Sequence, residues 1–224
     1  MYSFDTSVII KSLPVIIEGI KITVFISVIS SICAFIIGLI IVFFRTTGTR
    51  PLKFMAVSYV EIIRNTPLLI QLYFIYKALP DFGLMLSPIG CGILALSLYT
   101  GAFISEVLRS GINSVASEQY QASISLGLTK FQTFRLIILP QAIKIIIPPL
   151  GSQFINVIKN SSLVSFISVT DLFYGVYKGA VDDFRFFEFF ITGALIYMML
   201  TGTVALFTNI FENLLNIQGR AAKV

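Results

Sequence analysis

The sequence predicts an all-α integral membrane protein, a bundle of five transmembrane helices with its N-terminus outside and its C-terminus inside. Hydrophobic residues fill 56% of the 224 positions and charged residues 12%, with a mean hydropathy of +0.92; soluble domains carry about twice that share of charge. Three stretches, 22–44, 84–105 and 189–211, contain no charged residue. At about 1.5 Å per residue each is long enough to cross a hydrocarbon core of about 30 Å.

Each element follows in order. The first span, 22–44, exceeds a signal-peptide core and has no small-residue cleavage site after it, so it is expected to stay in the protein. The second, 54–78, is interrupted by Glu61, Arg64 and Pro67, and the fourth, 145–169, by Pro148, Pro149, Lys159 and Asn160. Both read as spans with a reason to be irregular. With the third span at 84–105 and the fifth at 189–211, the connectors are short, and residues 1–224 form a single transmembrane domain. Cys33 and Cys91 lie singly inside spans, where they read as small apolar residues rather than a disulfide pair.

Charge sets the orientation. On one side lie Arg45, Arg50, Lys53, Arg109, Lys130, Arg135, Lys144, Arg220 and Lys223. On the other, Lys11, Lys21, Lys77, Lys178 and Arg185 are diluted by Asp5, Glu18, Asp81, Asp171, Asp182, Asp183 and Glu188. The Lys/Arg excess marks the first side as cytoplasmic. Anionic lipid accounts for the net charge of +5 without a nucleic-acid partner.

The longest connector, 109–144, is patterned as helix. Ser117 is expected to cap a helix over 118–126, ended by Gly127, a residue that takes the left-handed conformation at little cost. Thr129 followed by Gln132 has capping-box spacing for a second helix, with Phe131, Phe134 and Ile138 on one face, before Pro140 is expected to stop the winding. Such a helix pair either docks in a groove on a soluble partner or lies on the lipid surface. The residues alone leave both readings open.

Ionisable groups inside spans are costly unless they face a bundle interior or water, which makes Glu61, Arg64, Lys159 and, at a span's end, Glu106 functional candidates. Glu61, Arg64 and Asn65 share a helical face, so a plain Glu61–Arg64 ion pair is the simpler alternative. Thr66–Pro67 and Pro148–Pro149 both remove helical hydrogen bonds, and broken helices accompany substrate sites in transporters. Lys159, Asn160, Ser161 and Ser162 mix one cation with neutral donors and acceptors that suit a zwitterion; helix–helix hydrogen bonding explains them equally well. Ser27, Ser30, Ser31, Gly38, Gly193 and Gly202 read as close-packing positions. Without histidine, and without a Gly-Lys dipeptide for a phosphate-binding loop, the chain has no metal cluster, no nucleophilic triad and no ATPase site. No cofactor and no enzymatic activity are expected of it.

The run EQYQASISLGLTKFQTFRLIILPQA at 118–142 resembles the cytoplasmic EAA loop of ABC-importer permeases. Segments 58–76, 99–112 and 148–167 resemble signatures of the polar amino-acid (histidine, glutamine, glutamate, arginine-type) branch of that family. The resemblance implies that Glu118, Gln121, Ala122, Gly127, Leu139 and Pro140 contact an ATPase subunit, with Gln121 where the motif has its glutamate. A neutral amide there removes a charge-assisted bond roughly twice as strong as a neutral one. It further implies a homodimer or heterodimer of permeases in the bacterial cytoplasmic membrane. A binding protein would stand outside, and ATP and magnesium would be held by the ATPase. Glu61, Arg64, Asn65, Thr66, Glu106, Lys159, Asn160, Ser161 and Ser162 are the candidate substrate path. The alternative is an ion-coupled secondary carrier in which Glu61 and Glu106 titrate.

Overall fold

The computed structural model describes residues 4–215, and every regular element among them is a helix. Arg220 and Lys223, two of the basic residues used for orientation, lie outside this range. Four helical stretches are long and apolar enough to cross a bilayer: Ser7–Thr47, Pro88–Asn113, Lys130–Ile167 and Phe186–Leu214. The expected second span is instead divided, and neither half is that long.

Helix α1 (Ser7–Thr47) starts well before the predicted span. The charges that bounded the prediction do not break it, because Glu18 and Lys21 are exposed and pair at 2.6 Å, one turn apart. Helices α2 (Arg50–Arg64) and α3 (Leu68–Ala78) meet at Asn65–Pro67. Pro67 lacks the N–H that would continue α2, as its place in the sequence led one to expect. The freed end is wrapped by side chains: Thr66 Oγ1 donates to the Ile62 carbonyl at 2.9 Å, and Gln71 Nε2 donates to the Ile63 carbonyl at 2.9 Å and to Thr66 Oγ1 at 2.7 Å.

After a 3-10 turn, Leu79–Phe82, comes α4 (Pro88–Asn113), capped by Ser87, whose hydroxyl accepts from the Gly90 N–H at 3.1 Å. Helix α4 is the axis of the bundle, the most buried of the four long helices, whereas the last helix is the least. It meets α1 through a reciprocal pair of glycines. A Cβ on Gly38 would stand 2.6 Å from Ile104 Cγ2, and one on Gly101 would stand 2.7 Å from Ile37 Cγ2. Gly193 is a close-packing position too, against Val176, but Gly202 faces open space, because α9 turns that side away from its neighbours.

Helix α5 (Ser117–Ser125) begins at Ser117 itself, with Ala116 at the cap position and no side-chain cap. Helix α6 (Lys130–Thr133) has the predicted capping box. Pro140 does not end the winding. A π turn, Phe134–Ile138, joins α6 to α7 (Leu139–Asn160), placing Pro140 in the first turn of α7, where a missing N–H costs least. The Gln141 side chain donates to the Ile137 carbonyl at 2.9 Å. Pro148 and Pro149 also lie within α7 without ending it. The true interruption comes later, at the 3-10 segment Ser161–Ile167 and at Ser168, whose φ is 66°. Helices α8 (Leu172–Asp182) and α9 (Phe186–Leu214) complete the chain.

Candidate functional site

The elbow between α5 and α6 is built by a glycine and closed by two hydroxyls. Gly127 has φ 81°; its N–H reaches the Ile124 carbonyl at 2.9 Å, and the Leu128 N–H reaches Ser123 at 3.2 Å. This paired closure ends a helix in the left-handed conformation. Ser123, buried, donates to the Tyr120 carbonyl at 2.7 Å and shares a hydroxyl–hydroxyl hydrogen bond with Thr133 Oγ1 at 3.1 Å, which ties α5 to α6. Sequence reasoning missed this fastening, although Ser123 stands where the motif has alanine. Glu118, Gln121 and Ala122 are exposed on the outer side of the elbow, with Leu126 82% and Phe131 69% exposed. Leu139 is half-buried and Pro140 exposed, beyond the π turn.

Glu61, Arg64, Asn65, Thr66 and Glu106 gather where α2 breaks beside the end of α4, but not in the expected pairing. Arg64 bypasses Glu61 and faces Glu106 Oε2 at 3.8 Å, its guanidinium stacked on Phe103 at 5.1 Å. Glu61 is exposed and accepts from Asn65 Nδ2 at 3.3 Å. Glu106 is held chiefly by Arg109, at 3.0 and 3.2 Å, and by the Arg45 guanidinium at the end of α1. One carboxylate thus ties three helices. Arg45 and Arg109 had been read only as orienting charges; the i,i+3 spacing of Glu106 and Arg109 was a signal that could have paired them, whereas none links Arg45 to a residue 61 positions away.

Lys159, Asn160, Ser161 and Ser162 form a second group. Lys159 is exposed and Asn160 half-buried. Ser161 and Ser162 do not bond across helices; their hydroxyls donate back to the Ile158 and Lys159 carbonyls at 2.8 Å. Val164, in the same turn, packs on Gly92, so this group lies about 21 Å along α4 from Glu106. Among the described residues no hydrogen bond or ion pair joins the two groups.

Near the N-terminal end of α1 a third knot was not foreseen. Asp171 is fully buried and caps α8 by accepting from the Tyr174 N–H at 2.9 Å, while Tyr197 Oη lies 3.5 Å away. The adjoining Leu172 N–H donates to Thr23 Oγ1 at 3.1 Å. Burial pushes the Asp171 carboxyl up to about 6, against hydrogen bonds that favour its charged form. Elsewhere, an apolar groove between α1, α7 and α9 is lined by Ser27, Phe35, Phe154, Ile158 and Val204, and includes none of the candidate path residues.

Residues 20–216 match the family described as binding-protein-dependent transport system inner membrane component. The chain is 38% identical to the probable glutamine ABC transporter permease protein GlnM of Bacillus subtilis, over 93% of this chain and 96% of that one. It is 35% identical to the glutamine transport system permease protein GlnP of Escherichia coli, covering 88% and 91%. A solved structure of an amino acid ABC transporter with histidines superposes with a TM-score of 0.88 at 35% identity, covering 95% of this chain and 99% of that one. The inward-facing methionine transporter MetNI shares the fold, with a TM-score of 0.74 at 17% identity, over 90% and 96%. A helical bundle with several bilayer-length spans and an exposed helical elbow is the architecture of an ABC-importer permease. The chain belongs to the binding-protein-dependent transport system inner membrane component family.

Proposed function

We propose that the chain is the permease subunit of an ABC importer for polar amino acids in a bacterial cytoplasmic membrane. Its curated relatives named for glutamine and cystine transport support the substrate class. The observation that carries the reading is the exposed α5–Gly127–α6 elbow, which has the shape of a docking element and joins directly to a membrane-length helix. In this reading the divided α2–α3 pair is the fifth crossing, with the N-terminus outside and the C-terminus inside. A partner ATPase holds ATP and magnesium and seats the elbow through Glu118, Gln121, Ala122, Gly127, Leu139 and Pro140. A second permease, identical or homologous, completes the path, and an extracytoplasmic binding protein delivers substrate.

Nucleotide-driven closure of the ATPases moves the elbow and, through α7, the segment holding Lys159 and Asn160. This works because the two nucleotide states contact the elbow differently. Glu61, Arg64, Asn65, Thr66 and Glu106 line the other end of the path. Family membership disfavours the ion-coupled carrier, which has no use for such a dock. Uptake of radiolabelled glutamine or cystine into proteoliposomes holding permease and ATPase, with binding protein outside, tests the proposal. It should require internal ATP; uptake by the chain alone under an ion gradient would overturn it.

A further inference from the structure

Three guanidiniums surround Glu106, so its one negative charge is set against three positive ones. The two halves of this cluster differ. Arg45, 13% exposed, is consumed by Glu106, and Arg109 forks onto both of its oxygens while staying 38% exposed. Arg64, also 38% exposed, is different again. At 3.8 Å its contact with Glu106 is beyond hydrogen-bond reach, and among the described residues none accepts a hydrogen bond from it. Glu61, the acid one turn earlier on α2, accepts from Asn65 and makes no ion pair with Arg64 among the described residues. Stacking on Phe103 fixes the plane of the guanidinium and leaves its edge donors free.

Arg64 and Arg109 both approach the same atom, Glu106 Oε2, so the two guanidiniums are neighbours. A guanidinium of fixed plane with unused donors at Arg64, beside the second positive charge of Arg109, matches a phosphoryl group, which takes paired N–H donors. Basic pockets between helices at a membrane's cytoplasmic face meet such groups on anionic lipids. We propose that Arg64 and Arg109, braced by Glu106 and Phe103, form a phosphoryl-binding site that takes the headgroup phosphate of an anionic lipid. Glu106 holds the arginines in register rather than discharging them. The site sits at the α2–α3 break, so an occupant bridges α2 to α4, and Arg64 and Glu106 then flank the proposed path rather than contact its substrate.

The inference rests on the proposed orientation for which leaflet supplies the lipid. Binding itself is measured without transport, so its failure leaves the importer reading standing. The permease–ATPase complex in detergent is titrated with phosphatidylglycerol or phosphatidylcholine, and retained lipid is read by native mass spectrometry. Phosphatidylglycerol should be retained preferentially, and Arg64→Gln should lower that retention about fivefold. Arg50→Gln, at an exposed arginine on the first turn of α2, should change it little. Arg64→Gln removes no hydrogen bond and should keep the fold, which its unchanged melting temperature verifies. A parallel arm uses millimolar inorganic phosphate: a melting-temperature rise in wild type, absent in Arg64→Gln, supports the same site with a free oxyanion as its occupant. Equal phosphatidylglycerol retention by wild type and Arg64→Gln with no phosphate effect overturns the proposal. Equal losses from Arg50→Gln and Arg64→Gln overturn it as well, since that is a diffuse basic surface.

Discussion

Glu106 and Glu61 are both carboxylates on spans, yet their surroundings give them different weights. Removing the charge at Glu106 leaves Arg45 and Arg109 without their shared partner, so Glu106→Gln should cost about 2 kcal/mol of stability. Glu61→Gln, at an exposed site with one amide neighbour, should cost under about 0.5 kcal/mol. Thermal melts of the two variants in detergent check both. Asp171 makes a pH-dependent claim. Its folded carboxyl titrates near 6 instead of 3.8, so the folded state holds a proton that the unfolded state releases. The stabilisation is complete below about 4 and is lost as pH rises through 6. Asp171→Asn keeps a cap acceptor without charge, and its melting temperature should be flat across that window where wild type declines. The sequence made Glu61, Arg64 and Glu106 legible as candidates, because charge in an apolar run is conspicuous. It could not show that Arg64 would choose Glu106 over Glu61, since a helix break decides which way the guanidinium swings.

At the scale of elements, the elbow was readable because its signals are local: a glycine at a helix end, and a threonine three residues before a glutamine. Gly127 at φ 81° admits glycine easily, asparagine at modest cost, and proline not at all, since its ring fixes φ near −65° and deletes the N–H bonded to Ile124. Gly127→Asn should retain ATP-dependent uptake. Gly127→Pro should abolish it while the purified bundle keeps its helical circular-dichroism signal; ATP-dependent uptake by the proline variant would count against docking. Prolines were read less well. Pro140 and the Pro148–Pro149 pair were each expected to interrupt the chain, and each is absorbed. One is relieved by the wider π turn before it, and the others by the packing of α7 against α4 and α9. Propensity gave the local cost; tertiary packing outweighed it.

For the molecule as a whole, the pattern of apolar runs revealed the class of fold, while the lengths came from contacts that sequence does not display. Ser7–Thr47 continues past its charges because Glu18 and Lys21 are exposed and pair with each other, whereas the expected second span is divided at Pro67. The α1–α4 seam is the joint most exposed to damage. Gly38→Leu would force several atoms into the space Ile104 occupies, costing about 2 kcal/mol or more. It should lower the melting temperature far more than Gly202→Leu, which faces open space. The winding from Lys130 to Asn160, continuous through the π turn, measures about 45 Å as a helix. In the proposed mechanism it would act as a crankshaft: its near end carries the elbow and its far end carries Lys159 and Asn160. The π turn near its base inserts one residue more than an α-turn holds, and each residue advances the winding by about 100°. That single surplus residue sets the angular phase of everything beyond it, so the direction in which Lys159 points is timed by a coil about 30 Å away.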